Sequence, residues 1–297
     1  MPTIPLYSPT EDLDASHHVR APGGFEWWHF DAEDSTSSTR VVVDVYDGHL
    51  FDRAYWKACK KYAKSPTRNP PPIPKQFPAA ELMVFRGDRV VSLGTQSLAD
   101  VMALGNDGSV LLNIGDANVS AELHFEPVAK VAGRWLLHSD HHWFLPAAGY
   151  DIRGTVTIDG KPTSFAGKGY HDHYFGLSPV IATVDDWFHG RLLLNDGILA
   201  FKQLSLVDGG QAAIRLVHAT GKGVRNLEIT QAGMTRQNGT PWRVGYPLEV
   251  TMSDTFKLSR PRVLEANRWS AYLTYEATFN GEEGVAFCRF VCPRRLR

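Results

Sequence analysis

The sequence predicts an almost all-β protein that is built from two domains, each a β-barrel or a β-sandwich. Short runs of alternating or β-branched residues recur along the chain, and hairpin-type turn residues separate them. Sustained helical periodicity is nearly absent. At 297 residues the chain is longer than a typical single domain, which favours two.

The first half of the chain contains four clear strand patterns. Asp159-Gly160, directly after the last of them, is typical of a tight hairpin turn. The predicted strands cover Arg40–Tyr46, Glu81–Phe85, Val119–Phe125 and Tyr150–Ile158.

Between the first two predicted strands lie a helix and an irregular segment. Asp52 to Ala63 fits one short helix. Asn69 to Pro78 contains five prolines, which is incompatible with regular structure, so it is expected to be an exposed loop or a cover over a pocket.

A second set of strand patterns begins after Pro179. It extends from Trp187–Leu194 to Ala286–Val291, with another hairpin signal at Asn280-Gly281. We place the domain boundary between Gly176 and Asp185, which gives domains of residues 1–180 and 181–297.

Composition restricts the partners and the compartment. The net charge of −1 gives no electrostatic reason to expect nucleic acid or an anionic membrane surface as a partner. Residues 1–20 lack the apolar core of a signal peptide, and no apolar run is long enough to cross a bilayer. Three cysteines without framework spacing predict free thiols in a reducing, cytoplasmic location. The oligomeric state stays open.

One motif concentrates polar chemistry: residues 167–176, read as GKGYHDHYFG. On a strand, side chains alternate between the two faces. One face would carry Tyr170, Asp172 and Tyr174, and the other His171 and His173. A structural role for a lone Asp is the simpler interpretation, but three further clusters combine aromatic residues, His and acids: residues 25–32, 138–146 and 185–191.

Metal binding is one interpretation of these clusters. Imidazoles and a carboxylate are suitable ligands, and a His-x-His pair on a strand is similar to cupin ligation. The Glu expected a few residues later is missing, so no metal is predicted. The ligands weighed for this reading are His141, His142, His171, His173 and Asp172.

Acid catalysis on an apolar substrate fits the clusters better. Protonation of a carbon–carbon double bond needs a carboxylic acid that stays protonated near neutral pH, and burial among aromatic residues raises the pKa of an Asp. Tryptophan faces can stabilise the resulting carbocation. We expect Asp172 to be this acid, because Asp31, Asp140, Asp185 and Asp186 are expected near strand ends, where solvent keeps them ionised.

These clusters resemble motifs of the carotenoid 1,2-hydratase (hydroxyneurosporene synthase), or AttH-like, superfamily. The matching order spans residues 25 to 191 and comprises Trp27-Trp28, His141-His142-Trp143, Gly169-Tyr170-His171-Asp172-His173 and Trp187-Phe188-His189-Gly190-Arg191. The chain departs from the pattern at Tyr174-Phe175, where many hydratases have Asn-Trp, and in its proline-rich insertion at 70–74. Both departures bear on the substrate more than on the fold.

The resemblance implies two lipocalin-like β-domains packed together and catalysis without a cofactor. It implies a hydrophobic small-molecule substrate, isoprenoid or polyene, that undergoes acid-catalysed hydration or cyclisation. A pericyclase that folds a polyene, and a lipocalin-like binder without catalysis, are the alternatives. The implied catalytic residues are Asp172, Tyr170, His141 and Trp143, and the substrate-binding residues are Trp27, Trp28, His171, His173, Tyr174 and Trp187.

Overall fold

The computed structural model describes residues 14–87, 89–93, 101–138, 140–209, 213–229, 233–237 and 240–293. Residues 1–13 therefore lie outside the described part. They belong to the segment 1–20, for which no signal peptide is expected. The architecture is nearly all β, with two curled antiparallel sheets, and this confirms the predicted fold class.

The first sheet contains the strands of the first half of the chain. Its main path runs in the order β4-β3-β2-β1-β11-β10-β7-β6-β5, and the hairpin β8–β9 joins it through β11. The strands are β1 (Phe25–Asp34), β2 (Thr39–Asp47), β3 (Pro78–Arg86), β4 (Arg89–Leu93), β5 (Met102–Leu104), β6 (Val110–Gly115), β7 (Val119–Pro127), β8 (Lys130–His138), β9 (His141–Ala147), β10 (Tyr150–Ile158) and β11 (Lys161–Gly176).

The second sheet contains the remaining strands in the order β15-β14-β13-β12-β20-β19-β18-β17-β16. They are β12 (Val184–Leu193), β13 (Gly197–Leu206), β14 (Ala213–Thr220), β15 (Gly223–Asn226), β16 (Gly233–Gln237), β17 (Tyr246–Ser253), β18 (Phe256–Ala266), β19 (Ser270–Phe279) and β20 (Glu282–Val291).

Helices are short and few among the described residues. The predicted helix is confirmed as α1 (Arg53–Lys64), where the Asp52 carboxylate caps the N-terminus by accepting bonds from two backbone amides. A short helix, α2 (Val180–Thr183), precedes the second sheet. From residue 69 to residue 77 the described structure is irregular apart from one 3₁₀ turn at Pro74–Gln76, and Pro78 begins β3.

The two sheets divide the chain between Gly176 and Val184. The domain boundary at residue 180 remains a prediction, although it falls in this interval. In the part of the chain that the structure describes, no helix has the length and apolarity that a membrane crossing requires.

The three largest apolar cores among the described residues hold the architecture together. One lies inside the curl of each sheet, and the third lies between the two sheets. This third core, the seam, contains Trp27 and Trp143 from the first sheet and Trp187 from the second, each at most 1% exposed. Fully buried indoles dominate packing energetics, so the seam is a tightly packed interface between sheets.

Candidate active site between the two sheets

Asp172 lies at the centre of the seam. It stands on β11, which pairs with β1 so that Asp172 is directly opposite His29. The alternation predicted for this motif is confirmed, because Tyr170 and Tyr174 join the seam core with Asp172 between them on the same face. The carboxyl group is 1% exposed.

Three groups surround one oxygen of this carboxyl. Asp172 Oδ2 accepts hydrogen bonds from Trp143 Nε1 at 2.7 Å and from the Tyr170 hydroxyl at 2.8 Å. Lys202 Nζ, from β13 of the second sheet, lies 3.2 Å from the same oxygen. The other oxygen, Oδ1, has no hydrogen-bond partner among the described residues. We call these four residues the Asp172 centre.

The ammonium of Lys202 sits among aromatic faces. Its Nζ lies 4.3 Å from the ring centroid of Tyr174, 5.5 Å from that of Trp143 and 5.6 Å from that of Trp27. Aromatic faces carry negative electrostatic potential, so this position stabilises a positive charge. The carboxylate of Asp172 adds to that stabilisation.

The charge state of the centre differs from the expectation. Burial alone raises the pKa of Asp172, but the ammonium of Lys202, the nearby His29 and two hydrogen bonds outweigh it and bring the pKa below its ordinary value. Burial lowers the pKa of Lys202, and Asp172 offsets only part of that effect. The lowered pKa of Asp172 and its distance of 3.2 Å from Lys202 favour a carboxylate at this position. The expectation that burial keeps Asp172 protonated is wrong because it omitted this lysine.

The Asp172 centre belongs to a wider charged layer. Across the first sheet, Asp44, His29 and Asp172 stand side by side on neighbouring strands. Across the second sheet, Arg289, His189 and Lys202 stand side by side in the same way. The two rows face each other, with Asp44 paired with Arg289 at 2.8 Å, Asp172 with Lys202 at 3.2 Å, and the rings of His29 and His189 5.6 Å apart.

Asp31 extends this layer and corrects a second expectation. It is 2% exposed within β1, and its carboxylate pairs with Arg191 of β12 at 2.6 Å. Asp186 is also buried, at 3% exposure. These two acids were expected to be solvated near strand ends, and that expectation is wrong: Arg191 of the second sheet pairs with Asp31, and Asp186 is buried within β12 itself, where it accepts from Ser205. In each cross-sheet ion pair of the layer, the first sheet supplies the acid and the second the base.

Removing one cation of the layer should destabilise the fold. Arg289→Met leaves His29 as the remaining ion-pair partner of the buried Asp44 carboxylate among the described residues, and we expect the free energy of unfolding in urea to fall by about 3 kcal/mol. Arg260→Met is the matched control, because Arg260 and its partner Glu276 are largely exposed and the same substitution there should cost less than about 1 kcal/mol. Equal losses for both variants would contradict a stabilising role of the layer.

His29 makes stability depend on pH. Burial alone lowers its pKa, but the carboxylates of Asp44, at 2.6 Å, and Asp31, at 3.7 Å, raise it to about 9. A folded-state pKa above the unfolded value of 6.5 means that this stabilisation is complete below pH 6.5 and is lost as the pH rises through 9.

We therefore expect the free energy of unfolding of the wild-type protein to fall between pH 6.5 and 9, by an amount on the order of 3 kcal/mol. His29→Gln should lose most of that slope, because glutamine does not titrate. Urea unfolding at a series of pH values measures both. An unchanged slope in the variant would place the titrating group elsewhere.

His141 does not contact Asp172 directly. One ring nitrogen lies 2.6 Å from the Tyr174 hydroxyl and the other 2.9 Å from Thr183 Oγ1. Burial lowers the pKa of His141 to about 4, so its imidazole is neutral. The link to the centre runs through Tyr174, whose ring faces Lys202. His141 therefore orients Tyr174.

A small cavity adjoins the centre on the side of Tyr170. Its volume is about 10 Å³, and His29, His189 and Arg191 contribute to its lining. This is about the space that one water molecule needs. His189 Nε2 is buried without a hydrogen-bond partner in the described part of the chain, which leaves it able to hold a water here.

The proposed binding residues divide between the two faces of the first sheet. Trp27 and Trp187 lie in the seam, 6.0 Å apart, beside Tyr174. Trp28, His171 and His173 do not share the seam. They are directed to the opposite face, where the ring of Trp28 stacks on His173 and that of His171 on Phe30.

The histidines weighed as metal ligands also separate between faces. His141 belongs to the seam, whereas His171 bonds to the carbonyl of His29 and to Asp14 on the opposite face. A group with ligand-like geometry does occur among the described residues, but it combines His173 with His17 and Glu26.

Sequence reasoning missed Lys202 and Arg289, which are two of the three basic residues that the second sheet contributes to the cross-sheet ion pairs described above. A signal for both is present, since each is a single charge within a strongly apolar strand, in ILAFKQL and AFCRFV. A buried charge requires a partner. The partner strand, however, belongs to the other half of the chain.

Part of this chain is similar in sequence to a bacterial protein. No protein-family model matches the chain. The hydroxyneurosporene dehydrogenase of Chlorobaculum tepidum is 24% identical over 213 residues, which cover 60% of this chain and 56% of that protein. The match thus spans little more than half the length of this curated relative.

Solved structures match over almost the whole chain. An AttH-type protein from Nitrosomonas europaea has a TM-score of 0.67 at 12% identity and covers 98% of this chain and 99% of its own. Kievitone hydratase from Nectria haematococca has a TM-score of 0.58 at 12% identity, with 93% and 91% covered. CghA matches with the same score and identity, with 91% and 88% covered. The predicted resemblance is thereby confirmed: this chain is similar in sequence to a protein named hydroxyneurosporene dehydrogenase, and in fold to an AttH-type protein, to CghA and to kievitone hydratase.

Proposed function

We propose that this protein is an enzyme that transfers a proton to a carbon–carbon double bond of an extended apolar substrate, isoprenoid or polyene, and so hydrates or cyclises it without a cofactor. The observation that carries the proposal is the Asp172 centre, a carboxylate and an ammonium 3.2 Å apart in a buried aromatic surrounding. The similarity to a protein named as a hydratase supports it.

In the resting state the labile proton of the centre is on Lys202. The pair is already buried, so its separated charges lack solvation, and an apolar substrate placed against it offers none. The proton then moves from Lys202 Nζ to Asp172 Oδ2. The result is a neutral amine beside a carboxylic acid, and the acid is the group that protonation of carbon requires.

The carboxylic acid protonates one carbon of the double bond. The π electron pair forms the new C–H bond, the O–H bond breaks, and the adjacent carbon becomes a cation. Asp172 is again a carboxylate and stabilises this cation, together with the faces of Trp27, Trp143 and Tyr174. The neutral amine of Lys202 no longer repels it.

Water completes hydration. A water molecule, stored in the small cavity beside Tyr170, forms the C–O bond and gives a proton to the amine of Lys202. This restores the ammonium and the carboxylate, so the net reaction is the addition of one water. In cyclisation a second double bond attacks the cation, and the proton lost afterwards goes to the same amine.

A pericyclase is the second candidate, and one observation favours it. Lys202 Nζ and Asp172 Oδ1 both retain hydrogen-bonding capacity within the described residues. A substrate carbonyl could accept from Lys202, which would polarise a conjugated polyene without protonating carbon. A binder without catalysis remains the third reading.

We also propose a cytoplasmic location. Cys59, Cys288 and Cys292 are all buried, and none of them forms a disulfide within the described residues. Cysteines that stay reduced are typical of a reducing compartment.

The test uses two probes that each contain a carbon–carbon double bond in an isoprenoid unit. Purified protein is incubated with neurosporene, an isoprenoid, and with kievitone, and products are separated and weighed by mass spectrometry. A product whose mass exceeds that of the probe by one water supports hydration. A product of unchanged mass but a different chromatographic retention time supports an isomerising cyclase. Recovery of both probes unchanged, with binding seen by tryptophan quenching, would contradict the proposal in favour of a binder.

A further inference from the structure

The face of the first sheet opposite the seam contains a separate cluster of three ligand-type side chains. Glu26 of β1 and His173 of β11 meet His17, which lies in the segment before β1. His17 Nδ1 lies 3.2 Å from Glu26 Oε1, and His173 Nε2 lies 3.0 Å from the same oxygen. The ligand atoms of all three residues lie within 4.8 Å of one another.

These separations suit a tetrahedral metal. Bonds of 2.0–2.2 Å to nitrogen and oxygen place neighbouring ligand atoms about 3.3 Å apart. Two imidazoles and one carboxylate are a common donor set for zinc and for other divalent transition metals, with a remaining position for water. Small adjustments would bring all three atoms to bonding distance.

The charges on the two faces of the sheet differ in a way that favours a cation here. In the seam, Asp31, Asp44 and Asp172 each pair with an arginine or a lysine. Glu26 is 0% exposed, yet within the described ranges its ion pairs are with imidazoles and none is with a lysine or an arginine. A buried carboxylate that is offered only imidazoles as ionic partners is suited to a divalent metal.

The rings are held in place before any metal binds. The ring of His17 stacks against Phe175, at 4.3 Å, and against Phe144, at 5.1 Å. His173 stacks on Trp28 at 4.6 Å. Fixed ring orientation lowers the entropic cost of assembling a site. His17 is also partly exposed, at 24% of its side chain, which gives an ion access.

We propose that His17, Glu26 and His173 bind one divalent transition-metal ion of the zinc class. The site is structural: it fastens the segment before β1 to strands β1 and β11. Since the neighbours of its ligands, Trp27 and Asp172, point into the seam, the metal supports the reverse side of the strands that build the Asp172 centre. It takes no part in proton transfer, so this proposal is independent of the proposed function.

Zinc titration tests the site directly. Full-length protein is stripped with a chelator, and Zn²⁺ is added while heat is measured by calorimetry. We expect one equivalent to bind, and His17→Ala to weaken its affinity at least tenfold, the effect that even an outer-shell partner of a metal has. His142→Ala is the matched control. It removes another partly buried ring that stacks on Phe175, at 4.5 Å, but no ligand.

Two further readouts keep the test decisive. Co²⁺, a coloured substitute for zinc, should give a ligand-field absorption spectrum that His17→Ala changes and His142→Ala does not. Zn²⁺ should raise the unfolding temperature of the wild type more than that of His17→Ala. Absence of binding to the wild type, or equal affinity in wild type and His17→Ala, would overturn the proposal, the second because the ion then binds elsewhere.

Discussion

Asp172→Asn should reduce turnover by at least about two orders of magnitude, the usual contribution of a positioned general acid. Asparagine retains a side-chain oxygen that can accept from Trp143 and Tyr170, but it cannot receive the proton of Lys202 and pass it on. The measurement is the initial rate on whichever probe the wild type converts. Circular dichroism establishes that the variant is folded.

Asp140→Asn is the matched control for this variant. Asp140 is a rival acid that lies 3.6 Å from His141 with 22% of its side chain exposed. The Asp140→Asn substitution makes the same chemical change outside the Asp172 centre, so turnover should stay within a few-fold of the wild type. A fully active Asp172→Asn protein beside an inactive Asp140→Asn protein would show that the site is misassigned.

Substitutions of Lys202 should lower turnover by a similar factor. They also distinguish the role of the lysine's charge from its role in proton transfer. Lys202→Met removes the strongest influence that lowers the pKa of Asp172, so burial should raise this pKa and protonate the carboxyl. Turnover should fall at least about a hundredfold, because no amine remains to take the proton of the attacking water. The infrared difference spectrum between Lys202→Met and the double variant Lys202→Met/Asp172→Asn should show the carbonyl band of the protonated Asp172.

Lys202→Arg keeps the positive charge, but a guanidinium does not release a proton in proteins. Asp172 should stay ionised in this variant, and turnover should still be lost. Lys257→Met, an exposed lysine on β18, controls for the substitution itself. Wild-type turnover in Lys202→Arg would contradict proton transfer through Lys202 and leave it a purely electrostatic role.

Local patterns were sufficient to predict the architecture and part of the site. Period-two alternation predicted that Tyr170, Asp172 and Tyr174 share one face, because a strand allows only two directions for a side chain. The same rule could have separated Trp28 from Trp27. The resemblance of the motifs led to grouping them in one pocket, whereas alternation sends Trp28 and His173 to the opposite face.

The charge state of Asp172 could not be predicted in this way, because it depends on a contact between two sheets. Lys202 lies 30 residues after Asp172 in the sequence, and no local pattern specifies how β13 faces β11. Burial and a neighbouring cation shift the pKa of a carboxyl in opposite directions. Without the position of Lys202 even the sign of the shift was undetermined. His17 and Glu26 were missed because their contact with His173 joins segments that are far apart in the chain, which no local pattern specifies.

The central claim is that the Asp172 centre delivers a proton to a substrate carbon. Its most direct test is conversion of an accepted probe in heavy water, followed by mass spectrometry and by NMR location of deuterium in the product. The account predicts one deuterium bound to carbon, adjacent to the carbon that receives oxygen or forms the ring bond, and no labelled product from Asp172→Asn. A product formed at the normal rate without deuterium on carbon would contradict protonation and indicate a pericyclic reaction.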